Sequence, residues 1–299
     1  TLLYSAFSVV GSSVRDLLAY FLSFLFVFSL AVRRTNVPLI FAAMLIVLIP
    51  LLIYQYFAGG EEVWYWERFT GGARNPNQLA LYVVCGVALA AMFVARKPVL
   101  VAIVIVLVLF GFATQSDAFL AYVAVVTLTA LLAFILPRKY FLVGWFPMLV
   151  ALTLALLAFG PAIADFTWQQ WVSADQGFAR LLLYENGFKA WLSTPFSFLI
   201  GNGAGYFSGI MGPFEAAEAH NTPIDLLAIG GLLGIVVVYY FPIRNLSQLY
   251  KIGSRALFSL YAGVVVFSFF HFVARHPVFW FTVYATAWTI DRRTAGATR

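Results

Sequence analysis

The stretch VPLIFAAMLIVLIPLLIYQYF, from Val37 to Phe57, contains no charged side chain. About 20 consecutive apolar residues form a helix long enough to cross a bilayer. Eight further apolar runs show the same pattern, at 17–32, 79–95, 98–114, 118–136, 140–163, 223–242, 256–274 and 277–290. A membrane barrel would show alternating segments of about ten residues instead. The sequence therefore predicts an all-α polytopic membrane protein with about nine transmembrane helices, in a single transmembrane helical domain over residues 1–299.

The composition excludes the soluble globular class. Hydrophobic residues make up 63% of the 299 residues and charged residues only 10%, whereas soluble domains have about 25% charged residues. The single cysteine, Cys85, excludes a disulfide framework and a cysteine-based metal site. The chain begins with Thr1, and residues 2–10 resemble the end of a helix whose start is missing, so we expect a trimmed N-terminus.

The loops between the apolar runs alternate between basic and acidic. One set holds twelve of the 18 basic residues and a single acid, Asp291. The positive-inside rule places this set in the cytoplasm, and the long loops 58–78 and 164–222 on the outer face. Topology then explains the net charge of +6. Because no basic stripe is left over, we expect no binding of nucleic acid.

The outer loop 164–222 is long and rich in aromatic residues, which predicts a structured loop. Within it, Arg180, Tyr184, Phe188 and Trp191 are spaced as on one face of a helix. Two interpretations are open. The helix lies on the membrane surface with its aromatic face down, or the loop is simply a packed lid.

Several basic residues lie on the outer face, against the topology rule. Arg74, Arg180 and Arg275, the last with the adjacent His276, are the candidates for binding a ligand. Arginine pairs with phosphate through two hydrogen bonds and does not lose its proton. Such a cluster near the membrane suits a lipid phosphate or diphosphate, and the alternative is ordinary ion pairing with acids. For Arg68 and, likewise, for Lys189 in the other outer loop, we favour ion pairing.

His220 lies directly before an apolar run, in the segment Glu-Ala-Ala-Glu-Ala-His-Asn-Thr-Pro-Ile-Asp at 215–225. An unperturbed imidazole accepts a proton near neutral pH, so His220 is a candidate general base toward a sugar hydroxyl. The alternative is a hydrogen-bonded histidine at the membrane interface.

Glycines cluster at two places. The run Gly201-Asn202-Gly203-Ala204-Gly205 resembles a phosphate-binding loop, in which backbone N–H groups bind an anion. It lacks the lysine and Ser/Thr of a P-loop, which argues against nucleotide binding, and turn formation by glycine is the stronger interpretation. Gly230, Gly231 and Gly234 predict close helix packing. No ligand spacing indicates a metal site, and we expect no cofactor.

Taken in order, four segments resemble the signature region of the O-antigen ligase and O-antigen polymerase superfamily: Arg180–Trp191, Gly201–Gly203, His220–Asn221 and Gly230–Gly234. The segment Gly72–Ala80 resembles the part of that family that follows its first periplasmic arginine. The resemblance covers roughly residues 60 to 290. One departure is Asp117, which stands where many members carry an arginine.

The resemblance implies a helical protein of the bacterial inner membrane whose active site faces the periplasm. Such enzymes transfer glycan from an undecaprenyl-diphosphate carrier to a glycan or lipid acceptor, without metal or nucleotide. By this resemblance Arg74 and Arg180 bind the diphosphate, and His220 activates the acceptor hydroxyl. Membrane lipids and a chain-length regulator are further partners. Substrate contacts are expected from Asn221, Gly201, Gly203, Tyr184, Arg275 and His276.

The function expected is polymerisation of lipid-linked repeat units by a metal-independent inverting glycosyltransferase, in synthesis of O-antigen or another surface polysaccharide. A ligase that transfers glycan from the same carrier to lipid A core or protein is an alternative, because it needs the same residue types. A transporter of lipid-linked glycan is another; it would carry mid-membrane ionisable groups, broken helices and repeats. A scaffold subunit would leave the outer arginines and histidines unexplained.

Overall fold

The structure, a computed structural model, describes residues 10–33, 36–73, 75–137, 139–141, 143–145, 176–204 and 218–297. A 3-10 helix, Glu61–Val63, and a small antiparallel hairpin of β1, Trp64–Tyr65, and β2, Arg68–Phe69, are the elements in these residues that are not α-helices. The predicted all-α class is confirmed. The α-helices with bounds in the described residues are α1 Val10–Val32, α2 Val37–Ala58, α3 Pro76–Phe93, α4 Lys97–Ala113, α5 Asp117–Ile135, α6 Gln176–Trp191, α7 Pro195–Ile200, α8 Thr222–Lys251, α9 Arg255–Phe267 and α10 Pro277–Ala297.

Side-chain caps and proline mark where several helices begin. The Asn36 side chain accepts the Leu39 amide at the start of α2, and Asn75 caps α3 in the same way. Thr194 forms a capping box with Ser197 at the start of α7. In each helix proline occupies one of the first two positions, where its missing N–H is not needed.

Four helices, α2, α3, α5 and α8, are long and apolar enough to cross a membrane, as in a multi-pass membrane protein. The surface of α2 agrees with this assignment. Its side chains Leu39, Ile46, Val47 and Phe57 are large, apolar and exposed. A continuous exposed surface of this kind is unfavourable in water and is matched by lipid.

The prediction of nine complete spans is wrong for the described residues. The helices α4 and α9 are apolar but have only 17 and 13 residues. At 1.5 Å per residue, 17 residues reach only about 26 Å, less than the ~30 Å of the hydrocarbon core. The last seven residues of α10 begin with Asp291 and two arginines, which interrupt its apolar pattern. Most of the run 140–163 lies outside the described residues, as do residues 2–9.

The chain forms two compact units. In the first unit, Asp16–Val126 with Val237–Arg299, α3 is the central helix. Its side chains are mostly buried between Leu79 and Ala90, and it packs against α2, α4, α9 and α10. The second unit includes Thr127–Val236 and contains α6, α7 and the first part of α8. The candidate site residues are distributed over both units.

Candidate functional site

The segment that contains His220 is held at the start of α8, in the second unit. Asn221 caps the helix, since its Oδ1 atom accepts the amide of Ile224 at 3.2 Å. Asp225 is fully buried, and its Oδ1 atom accepts the amide of Ala219 at 2.9 Å. His220 is partly buried and has a left-handed backbone with φ 53°. Because residues other than glycine seldom adopt this conformation, the contacts on both sides of His220 must hold it there.

Helix α6 packs against this segment. Leu183 is buried against Ala219, the residue before His220, and Tyr184 lies against the same apolar cluster. The helix predicted from the aromatic spacing is confirmed. Arg180 lies four residues before Tyr184, and α-helical geometry places positions i and i+4 on one face. The Arg180 side chain lies outside the described part of the structure.

The C-terminal end of α6 packs against α7. Trp191 stacks on Phe198 with ring centroids 4.9 Å apart, and its Nε1–H donates to the Phe198 carbonyl at 2.9 Å. Phe188 is exposed. A packed loop therefore accounts for Tyr184 and Trp191, whereas contact of Phe188 with a membrane surface stays a prediction.

Helix α8 breaks at Gly231, and the glycine-rich loop lies against the break. Gly231 has φ 58° and ψ −156° within the helix. A Cβ atom on Gly231 would lie 2.5 Å from the Leu199 carbonyl carbon, and one on Gly201 would lie 2.3 Å from the Gly230 nitrogen. Two backbone segments therefore touch directly, which glycine alone permits at these positions.

Amides in the described part of the glycine-rich loop, residues 201–204, are already engaged. Three of them donate to backbone carbonyls at 2.9 Å each: Gly201 to Ser197, Asn202 to Ala228, and Gly203 to Ile229. The Asn202 side chain donates two more hydrogen bonds, to the carbonyls of Ala190 and Ala228. Since a bound phosphate would have to displace the amide bonds, turn formation explains this loop better than anion binding. Substrate contact by Gly201 and Gly203 remains untested.

The close packing predicted for Gly230, Gly231 and Gly234 takes a different form. Within the described residues, nothing lies within 4 Å of a Cβ atom built on Gly230, and the nearest atom to one on Gly234 is the Leu226 carbonyl oxygen of the same helix. Gly231 is the glycine of this group that meets another segment. That segment is a loop backbone and not a neighbouring helix.

In the first unit, Arg275 pairs with an acid. Its Nη1 atom lies 3.4 Å from Oδ1 of Asp16, which is fully buried in α1. Ser23 on the same helix donates to the Arg275 carbonyl at 3.3 Å. The ion-pairing interpretation therefore describes Arg275, with a different acid from those that the sequence suggested. Contact of this guanidinium with a diphosphate stays a prediction.

His276 is buried beside a second histidine. Its ring stacks on that of His271 with centroids 5.4 Å apart, and the two side chains are 7% and 1% exposed. Burial, with the positive charge of Arg275 adding to it, lowers the pKa of His276 to about 4. The imidazole is therefore neutral at neutral pH and supplies no positive charge to an anion.

Arg74 lies outside the described residues, although the turn around it is described. The amide of Ala73 donates to the carbonyl of Thr70 at 2.9 Å, and Asn75 caps α3.

The two basic residues for which we favoured ion pairing both make polar contacts. Arg68 donates from Nε to the Thr114 carbonyl at 3.0 Å and from Nη2 to Asn77 Oδ1 at 3.3 Å. Lys189 forms an ion pair with Glu185 at 2.6 Å, one helical turn away. The expected ion pair is confirmed for Lys189, whereas the bonds described for Arg68 go to neutral oxygens.

Sequence reasoning assigned no role to three buried polar residues, Asp16, Asn202 and Asp225. Asp16 directly precedes the apolar run 17–32, and Asp225 lies inside the run 223–242. An acid at or inside such a run is costly unless it has a partner, which was the available signal. Nothing local in the sequence indicated the two bonds of the Asn202 side chain.

Within the described residues, no group of three or more His, Cys, Asp and Glu side chains is placed to hold a metal ion. The chain matches no protein-family model, no curated protein and no solved structure in the comparisons made.

Proposed function

We propose that this chain is an inverting membrane glycosyltransferase. It polymerises undecaprenyl-diphosphate-linked repeat units at the periplasmic face of the bacterial inner membrane and needs no metal. The observation that carries the proposal is the contact of α6 with the segment before His220. This contact joins the helix that bears Arg180 to the proposed base, although the two are far apart in the sequence. The long apolar helices support a membrane setting.

In the proposed reaction the acceptor hydroxyl oxygen attacks the anomeric carbon of the donor while His220 accepts the hydroxyl proton. The bond from that carbon to the diphosphate oxygen breaks on the opposite face, so the anomeric configuration inverts. The diphosphate leaves on its lipid carrier, and Arg74 and Arg180 stabilise its charge. Asp225 acts through its bond to the backbone of Ala219 and is a positioning residue for His220.

The variant His220→Asn tests the base. Asparagine tolerates a left-handed backbone, so the turn before α8 is preserved while the imidazole is lost. General-base catalysis contributes about 10²–10⁴-fold, so we expect transfer at least ~100-fold slower with an unchanged unfolding temperature. Lys189→Gln, which removes an exposed cation from α6, is the matched control and should retain activity.

The assay gives purified protein a synthetic undecaprenyl-diphosphate oligosaccharide, with EDTA and no second acceptor. A ladder of longer lipid-linked glycans from wild type, and none from His220→Asn, would support a metal-independent polymerase. Wild-type turnover by His220→Asn would overturn the role of His220. Product that forms only after addition of lipid A core or protein would favour the ligase instead.

The break at Gly231, close along α8 to the buried Asp225, favours a second candidate, a transporter of lipid-linked glycan. Broken helices and buried ionisable groups are common where transporters bind their cargo. Movement of labelled lipid-linked glycan across proteoliposomes, without any transfer product, would replace the enzyme by the transporter.

A further inference from the structure

A well-anchored hairpin follows α2 in the first unit. Its base is an aromatic cluster around Phe69. The ring centroids of Tyr56, Trp64 and Phe110 lie 5.2–5.7 Å from that of Phe69. The centroids of Tyr56 and Trp64 are 5.5 Å apart. Because Phe69 is fully buried, the hairpin is part of the folded core of this unit.

Polar bonds fix the other side of the hairpin. Arg68 donates to the Thr114 carbonyl at 3.0 Å, and the Gln115 side chain donates to the Glu67 carbonyl at 3.3 Å. The amide of Thr70 donates to the Val63 carbonyl at 2.9 Å. These bonds join the hairpin to the residues that follow α4 and close its base.

The tip presents aromatic rings to the surroundings. Trp66 is 85% exposed, and its ring lies nearly parallel to that of the exposed Tyr65, with an interplanar angle of 24°. Trp66 has φ 59°, at the first central position of a two-residue turn, where glycine is the favoured residue. The turn thus holds a residue with a large side chain in a backbone conformation that favours glycine.

An open cleft of about 650 Å³ lies beside this tip, lined by Gly59, Gly60, Glu61, Trp64 and Trp66. Its volume is within the range of about 300–1,000 Å³ that is usual for ligand sites. The lining combines two indole rings, one exposed carboxylate and two glycines.

We propose that this cleft binds a neutral or N-acetylated pyranose unit of a glycan chain. A pyranose has an apolar face of C–H groups, which packs against the indole of Trp66 and Trp64. Its hydroxyl groups are donors, and the Glu61 carboxylate accepts them. Binding of a sugar in this cleft does not depend on transfer activity. That the bound sugar is part of the substrate glycan rests on the proposed function.

The negative charge near the cleft favours a sugar over a lipid surface as its occupant. Three exposed acidic residues, Glu61, Glu62 and Glu67, lie in the same short segment as the exposed rings, and Glu61 lines the cleft. They disfavour insertion into hydrocarbon and repel anionic headgroups, because a charged group loses hydration in one case and meets like charge in the other. The same charges predict that glycans rich in uronic acid bind less well.

The test uses the full chain purified in detergent on an array of neutral, N-acetylated and uronic-acid-containing oligosaccharides. We expect retention on neutral or N-acetylated glycans, a loss of at least tenfold in Trp66→Gly, and a few-fold loss in Glu61→Gln. Glycine suits the backbone at position 66, so this variant removes the ring without straining the turn. Phe134→Ala, which removes an equally exposed ring elsewhere, should bind as wild type does.

Two results would overturn the proposal. One is equal retention of wild type and Trp66→Gly, or no retention of either. The other is contact of Trp66 with lipid. The fluorescence of Trp66 is obtained as the difference between wild type and Trp66→Phe in nanodiscs. Contact with lipid would be shown if brominated lipids quench this fluorescence and added glycan does not change the quenching. A chain that fails the transfer assay but binds the array refutes the proposed function alone, and the reverse pattern refutes only the cleft.

Discussion

Replacing Gly231 with alanine tests whether the break in α8 depends on the loop that lies against it. The backbone of Gly231, at φ 58° and ψ −156°, is in a region that glycine alone adopts readily. A Cβ atom there would lie 2.5–2.7 Å from backbone atoms of Leu199 and Gly201. The loop would have to move, and the amide bonds from Asn202 and Gly203 to α8 would be strained or lost.

The cost of this substitution has two parts. The backbone strain costs about 1–3 kcal/mol. Loss of the two amide bonds adds about 0.5–1.5 kcal/mol each, for a total of roughly 2–6 kcal/mol. The adjacent Gly230 is the matched control, because nothing lies within 4 Å of a Cβ atom there among the described residues. Gly230→Ala should instead gain up to about 1 kcal/mol from helix propensity.

Thermal unfolding of the purified protein in detergent, followed by intrinsic fluorescence, measures the difference. A loss of 2 kcal/mol corresponds to a decrease of at least about 4 °C in Tm, from the usual 2–4 °C per kcal/mol in domains of 150–250 residues. Gly231→Ala should unfold below wild type by this amount, and Gly230→Ala at or above it. If the two alanine variants unfold at the same temperature, the loop does not hold the break.

Three other predictions use the same unfolding measurement. Asn202→Ala removes two donated hydrogen bonds and should cost about 1–3 kcal/mol; a wild-type Tm would show that they contribute nothing. The pKa of His276 is about 4 in the folded chain and about 6.5 in the unfolded chain, so the unfolded chain binds a proton first as pH falls. The contribution of His276 to stability is complete above pH ~6.5, and stability should decline by up to about 3 kcal/mol toward pH 4. His276→Gln should flatten this decline, and an equally steep curve would contradict the assignment. Arg275→Leu leaves the Asp16 carboxylate buried without its cation and should cost about 3–5 kcal/mol. Adding Asp16→Asn should recover part of that loss, and a double variant no more stable than Arg275→Leu would refute the pairing.

Helix positions could be predicted from local patterns, and their lengths could not. The run 256–274 illustrates the difference. Its residues are apolar almost throughout, yet α9 ends at Phe267 and a turn follows. That turn is stabilised by bonds such as the one at 2.6 Å between the hydroxyls of Tyr239 and Ser268, which a hydropathy pattern does not report. Apolar character therefore marks burial in protein or lipid, and it does not fix where a helix stops.

The candidate site was predictable in part. The spacing of Arg180 and Tyr184 predicted α6 because both lie on one helical face, and the contact with Ala219 follows from the packing of that face. The glycine-rich loop was expected to offer its amides to an anion or to form a turn. It forms a turn, in which the amides of Asn202 and Gly203 donate to α8, and this depends on residues about 26 positions later in the chain.

By itself the sequence determined that this chain is helical, apolar and suited to a membrane, because those properties follow from the periodicity and composition of neighbouring residues. Only the tertiary structure decided that α8 breaks at Gly231 and that Arg275 pairs with Asp16, 259 positions away. Both features arise where distant segments meet in the folded chain. There, steric exclusion of a side chain or the cost of a buried charge is decided by whichever atoms pack against it.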